Sequence, residues 1–228
     1  MYAKAFLIAA LLSSLAVGNP VPGKNRPITD KEWEALKSGG LKNRAPGGSV
    51  NVPITEAKMK ALRDAGLAGR SDGLAARDKV MNCGHLVSGI GGSDGHGKWI
   101  PVSQFRNVAN EFCNAYVGTD IAKDHETSDT YAISLTNQDD DSKPGSPGNI
   151  VFAIYNTERD STYVVDHDRC LSAMKAPLGN HIKRTINGEE HVQLSKRDNC
   201  YGKKHDDYEG GYYKIDGIGA FGSEVYSA

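Results

Sequence analysis

The sequence predicts an α+β domain: an antiparallel sheet with two helices, stapled by two disulfides and preceded by a mobile, partly helical leader. Three observations carry this expectation. Apolar patterning gives the coarse order α-β-β-β-α-β-β, in which strands run together instead of alternating with helices, as antiparallel sheets require. The four cysteines, Cys83, Cys113, Cys170 and Cys200, all lie in the last two thirds of the chain. Residues 1–18 read as an export signal, with Lys4, an apolar run from Phe6 to Val17, and the small residues Ala16 and Gly18 before a cut ahead of Asn19. Export leads to an oxidising compartment, where an even cysteine count reads as two disulfides. Three pairings are open, and spacing does not choose among them.

The expected organisation is a signal peptide over 1–18, a repeated low-complexity leader or linker over 19–80, and a disulfide-stabilised domain over 81–228. Charge divides the chain at the same place. Residues 19–80 carry twelve Lys/Arg against seven Asp/Glu, whereas 81–228 carry fourteen against twenty-one. An acidic domain argues against a nucleic-acid groove, which needs clustered cations to displace counterions. The apolar run of the signal falls short of the roughly 20 residues that cross a bilayer, so a soluble, extracellular product without a membrane partner is expected.

Within the domain, Phe105, Val108, Phe112 and Tyr116 recur at spacings of three and four, predicting a helix from Ser103 as cap to Tyr116, ended by Gly118. Cys113 stands at the edge of that stripe, so the helix is expected to be stapled. Tyr131–Leu135, Asn149–Tyr155 and Ser161–Val165 are rich in β-branched and aromatic residues and read as strands. The uninterrupted run Ile150-Val151-Phe152-Ala153-Ile154-Tyr155 suggests a central strand covered on both faces. Gln138–Gly148 reads as a long loop, and the polar residues between Tyr155 and Ser161 as a hairpin turn. A second helix is expected over Asp168–Lys175, with Cys170, Leu171 and Met174 inward. Strand character returns at Glu189–Leu194, Tyr212–Ile215 and Phe221–Tyr226.

The leader repeats itself. Residues 27–44 and 53–70 share Pro, Ile, Thr, Ala, Leu, Gly, Leu and Arg at an offset of 26. Thr29 and Thr55 are N-cap candidates; Ile28 with Trp33 and Ile54 with Met59 have staple spacing; Gly39-Gly40 and Gly66 stop each helix. Helices of about ten residues are marginal alone, so the segment should be mobile unless it docks. A sharper alternative is a propeptide or tandem motif that binds a protein partner through its Ile, Trp/Met and Leu face.

Several motif matches fail in context. Gly91-Gly92-Ser93-Asp94-Gly95 fits a nucleophile elbow but lies in a Gly-rich stretch without the strand and helix that an elbow needs. Gly217 to Gly222 fits G-x-G-x-x-G with no helical pattern after it, so no dinucleotide or other cofactor is implied. Asp139-Asp140-Asp141 with Asp124 and Glu126 supplies oxygen ligands without calcium-loop spacing, and the histidines lack zinc spacing; no metal is expected. His205 and Glu209 supply the groups of a small hydrolase or ribonuclease, and are the weak catalytic candidates.

The densest chemistry is aromatic. Tyr208, Tyr212 and Tyr213, interleaved with Gly210 and Gly211, and Trp99 as their partner, combine rings with carboxylates in the way that sugar sites do: the ring stacks on the C–H face while polar groups bind the hydroxyls. These four are the ligand-binding candidates, with a glycan or other extracellular surface ligand as the partner.

Phe112-Cys113 in a helix, Cys170-Leu171 opening a second, and Cys200 ahead of Gly210-Gly211-Tyr212 together resemble small secreted four-cysteine α+β proteins of filamentous fungi. Some members are described as glycan-binding and others as effector candidates. The resemblance implies a non-enzymatic extracellular protein acting at a host or competitor surface, and it brings no catalytic residues. The competing expectations are the small hydrolase or ribonuclease and an inert wall or structural protein.

Overall fold

The computed structural model describes residues 48–69, 79–84, 98–140, 143–158, 160–179, 181–186, 189–194, 200, 202 and 206–228. Twelve strands and three α-helices are formed by these residues: β1 (Ser49–Pro53), α1 (Glu56–Asp64), β2 (Lys79–Cys83), β3 (Ile100–Pro101), α2 (Val102–Tyr116), β4 (Asp120–Ile121), β5 (His125–Thr136), β6 (Pro144–Asn156), β7 (Tyr163–Val164), α3 (His167–Lys175), β8 (His181–Ile186), β9 (Glu189–Leu194), β10 (Asp207–Tyr208), β11 (Gly210–Ile215) and β12 (Gly219–Ser227). The main sheet has six strands in the order β1-β5-β6-β12-β11-β2, and every pair is antiparallel. β3–β10, β4–β7 and β8–β9 are separate two-stranded ribbons. The chain is therefore the α+β domain that the patterning predicts.

β6 is the centre of the sheet, as its apolar run predicts. Successive side chains on a strand point to opposite faces. Ile150, Phe152 and Ile154 enter the larger core with α2 and α3, while Ala153 and Tyr155 enter a second core under α1. In the larger core Phe152 lies 5.3 Å from Phe112, 5.9 Å from Phe105 and 5.8 Å from Tyr131 between ring centroids. Cys113–Cys170 ties α2 to α3, and Cys83–Cys200 ties the edge strand β2 to the segment before β10. Each bridge closes a long loop and stabilises by about 2–4 kcal/mol.

The foldable unit begins earlier than residue 81. The second leader copy does dock: β1 pairs with β5, and α1 lies across the sheet's other face with Leu62 and Leu67 fully buried. Its local chemistry is the expected one, since Thr55 Oγ1 accepts from Lys58 N and Gly66 turns the chain at φ 72°. Ile54 and Met59, the staple pair, are both buried. The energetic reason is the amphipathic stripe, which is marginal alone but here covers Ala153, Tyr155, Tyr212 and Ala220. The first copy, over 27–44, lies outside the described residues, as do Ser93 and the rest of the elbow-like pentad.

Other expectations shift for identifiable reasons. α2 starts one residue early, with Pro101 before it and no side-chain cap, so Ser103 sits inside its first turn. The loop after Leu135 is shorter because Pro144–Gly148 are extended and pair with β5. No hairpin joins β6 to β7: Asn156 Nδ2 donates to Ile121 O and Ser161 O, and β7 pairs with β4 instead. Asp166 caps α3 by accepting from Arg169 N, one turn-start ahead of the expected boundary. Gly219 and Gly222 are among the glycines that space requires. A Cβ at Gly219 would run into the Tyr155 carbonyl, and one at Gly222 into the Tyr212 ring.

Two substitutions check this architecture. Phe152→Ala should cost about 3–5 kcal/mol, the range for emptying a buried aromatic site. Leu62→Ala should cost about 2–5 kcal/mol in the same urea titration. A mobile leader would leave the second midpoint unchanged.

Candidate functional site

Three segments distant in sequence meet at one end of the sheet. Trp99 O accepts from Thr136 N at 2.7 Å, which joins the start of β3 to the end of β5. β3 pairs with β10 as Ile100↔Tyr208 and Pro101↔Asp207, so the register brings Trp99 and Glu209 side by side beyond the last pair. Gln138 Nε2 then donates to Asp207 Oδ2 at 3.0 Å. Glu209 N donates to Cys200 O and Gly202 N to Asp207 O, so the Cys83–Cys200 bridge anchors this segment. Trp99 and Glu209 are half-buried and Asp139 is exposed. The result is an indole partly open to solvent, beside a carboxylate, an amide and an acidic loop.

Tyr208 forms the floor of this rim and not its surface. It is fully buried, with its ring 4.2 Å from that of Phe105 and its hydroxyl 2.9 Å from Ser223 Oγ. Burial, only partly opposed by the Ser223 hydrogen bond, pushes its phenol well above the ordinary tyrosine range. Tyr212 is likewise buried, on the opposite face of the sheet. A sugar cannot stack on either ring, which corrects two of the four aromatic candidates. Tyr213 is half-buried against the larger core on β11, so only Trp99 remains as an accessible platform of that set at this rim.

The face covered by α1 holds a second polar cluster, to which Tyr212 belongs. Tyr212 Oη donates to Glu224 Oε1 at 2.5 Å, and Tyr226 Oη donates to Glu224 Oε2. Tyr155 stacks on Tyr212, with ring centroids 6.5 Å apart, and is paired across strands with Glu126. Lys58 Nζ on α1 donates to Glu126 Oε1 at 2.5 Å, while Glu126 Oε2 is buried without a hydrogen bond. Lys214 Nζ pairs with Glu158 Oε1 at 2.5 Å and donates to Gly69 O at 3.1 Å. Burial is the main cause that raises the Tyr155, Tyr212 and Tyr226 phenols well above their ordinary value. Neighbouring carboxylates add to it: Glu126 and Glu224 at Tyr155, and Glu224 at the other two. Protonated phenols are hydrogen-bond donors, so the cluster works as an internal polar network holding strand to strand and sheet to helix.

His205 lies outside the described residues, and Glu209 stands beside Trp99. The acidic residues weighed as calcium ligands are pulled apart by β5: Asp124 and Glu126 are at its start and Asp139 and Asp140 beyond its end. Glu126 pairs with Lys58, and Asp140 with Lys143. No group of three metal-binding side chains occurs among the described residues.

The Gln138–Asp207 contact at this rim was missed, because only the β3–β10 and β5 pairings bring the two residues together and no local pattern encodes those. Glu224 and Tyr226 had a signal: alternation along β12 places both on one face. None of the described helices is long and apolar enough to cross a membrane. Comparison with protein-family models, with curated proteins and with solved structures returns no match.

The tyrosine network has a pH signature. Unfolded tyrosines ionise near the ordinary value of 10, and the folded ones stay protonated to higher pH. Their stabilising contribution is therefore complete below pH 10 and is lost as pH rises above it. The urea midpoint should fall progressively above about pH 10, and Tyr212→Phe should flatten that fall. The same substitution leaves Glu224 short of one donor and should cost about 1–3 kcal/mol at neutral pH.

Proposed function

We propose that this chain is an exported, effector-like and non-enzymatic protein that binds a glycan, or a similarly polyhydroxylated extracellular ligand, at the Trp99 rim. The observation that carries this reading is Trp99 itself: a large aromatic, incompletely buried, next to Glu209 in the register of β3 and β10, at the rim where exposed Gln138 is held by the buried Asp207. An indole presents an apolar face to sugar C–H groups, and the half-buried Glu209 carboxylate and exposed Gln138 amide suit the hydroxyls. The two disulfides support the extracellular setting, because such bridges persist in oxidising compartments. The rim is also built on rigid parts. β10 and β3 are paired, β5 is hydrogen-bonded to Trp99, and Cys200 ties the returning segment to β2, so little ordering would be needed on binding.

A glycan array probed at high micromolar protein, followed by calorimetry on the best ligand, tests the reading. Trp99→Ala should weaken binding by about tenfold or more, given ~0.5–1.5 kcal/mol from ring stacking plus the contact area lost with the ring. Glu209→Gln should weaken it less, and Val117→Ser, at an exposed position after α2, should leave it unchanged. An array with no signal, or binding that survives Trp99→Ala, overturns the proposal.

A further inference from the structure

The second leader copy shows what each of its repeated residues does, and so what the first copy is equipped to do. Ile54, Met59, Leu62 and Leu67 are buried in the groove over Ala153, Tyr155, Tyr212 and Ala220. Thr55 caps the helix and Gly66 makes the left-handed turn after it. At the offset of 26 the first copy supplies Ile28, Trp33, Leu36 and Leu41 for the anchors, Thr29 for the cap and Gly40 for the turn. Ala61, which packs beside this core, is matched by Ala35. The four anchors, the cap and the turn are therefore present in both copies, while Ala68, buried just past the turn, is matched by Lys42.

One groove contact is reversed in sign. Lys58 Nζ lies 2.5 Å from Glu126 Oε1, with the two side chains 17% and 5% exposed. The first copy has Glu32 at the position of Lys58. In that groove it would bring a second carboxylate against one that is already desolvated and whose Oε2 lacks a hydrogen bond. Truncating or reversing one partner of a buried charge pair is among the most unfavourable single changes at a docking surface, and like-charge opposition is a common means of rejecting a near-identical ligand. We infer that the two copies are alternative occupants of one groove, and that the Lys58–Glu126 pair assigns the groove to the second copy and excludes the first. The inference is independent of what binds at Trp99.

The chain contains two tryptophans, Trp33 in the first copy and Trp99, so Trp99→Phe leaves Trp33 as the sole reporter. Glu32→Lys in that background changes no residue of the groove and gives the first copy the missing cation. It should shift Trp33 emission to the blue and reduce acrylamide quenching at least twofold relative to the parent. Deuterium exchange should quicken across Glu56–Asp64 and slow across 30–38. Glu126→Lys should produce the same exchange of occupants from the groove side, and adding both Lys58→Glu and Glu32→Lys to it, which restores the parent's charge relation with every sign reversed, should return Trp33 to the parent's behaviour. If neither Glu32→Lys nor Glu126→Lys alters Trp33 while Glu56–Asp64 stay protected, the groove does not choose by this charge and the inference is overturned. Loss of protection at Glu56–Asp64 without any gain over 30–38 overturns it equally, since the first copy would then not be an occupant at all.

Discussion

Phe152 and its neighbour Ala153 point in opposite directions from one strand, and both are buried. That double burial of β6 is the constraint on which the other elements depend. A strand covered on one face can sit at the surface of a two-layer domain; a strand apolar on both faces needs a cover on each side. α2 and α3, joined by Cys113–Cys170, provide the first cover. The second has to come from elsewhere, and the chain supplies it from the leader. β1 lengthens the sheet beyond β5, Asn51 takes the left-handed conformation at its bulge, and α1 is thereby aimed across Tyr155 and Tyr212. The boundary drawn from cysteines and charge marks where the disulfides begin, not where the fold begins.

The two covers differ in chemistry. The larger core is a stack of aromatic rings with few polar groups. The α1 face mixes small residues with carboxylates and phenols: Glu126 with Lys58, Glu224 with Tyr212 and Tyr226, Lys214 with Glu158. Buried charges of this kind add little net stability over apolar packing, but leaving one unpaired is costly, so they discriminate between arrangements more than they strengthen one. An apolar helix could sit on this face in several registers. A helix whose lysine must reach Glu126 has far fewer choices.

Elements with a strong local signal were legible in the sequence. The stripe of α2, the run of β6, the Thr55 cap and Gly66 stop of α1, and the helix carrying Cys170 all follow from periodicity and capping residues within a dozen positions. β3, β4 and β10 have two residues each and only their partners define them, whereas β7, equally short, falls inside the Ser161–Val165 run that reads as a strand. The aromatic cluster near Cys200 illustrates the difference. Composition marked Tyr208, Tyr212 and Tyr213 as one group, yet alternation separates Tyr212 from Tyr213, and the β10–β3 pairing turns Tyr208 inward against Phe105. Trp99 stays at the surface because it lies just outside that pairing. The disulfide connectivity was likewise closed to spacing arguments, since it depends on β2 lying beside β11 at the far edge of the sheet.

The same pairing that buries Tyr208 is what gives the Trp99 rim its rigidity. With Tyr208 held between Phe105 and Ser223, β10 cannot shift without opening the larger core, and Glu209 and Asp207 on either side of Tyr208 are fixed with it. Gln138 reaches Asp207 from the end of β5, a strand paired along most of its length with β6. Positions at the rim are thus set by the central strand through two independent routes, one through α2 and Tyr208 and the other through β5. A half-buried indole at the junction of a short ribbon and a long strand is thus held from both directions, with less freedom than the same ring would have on a loop.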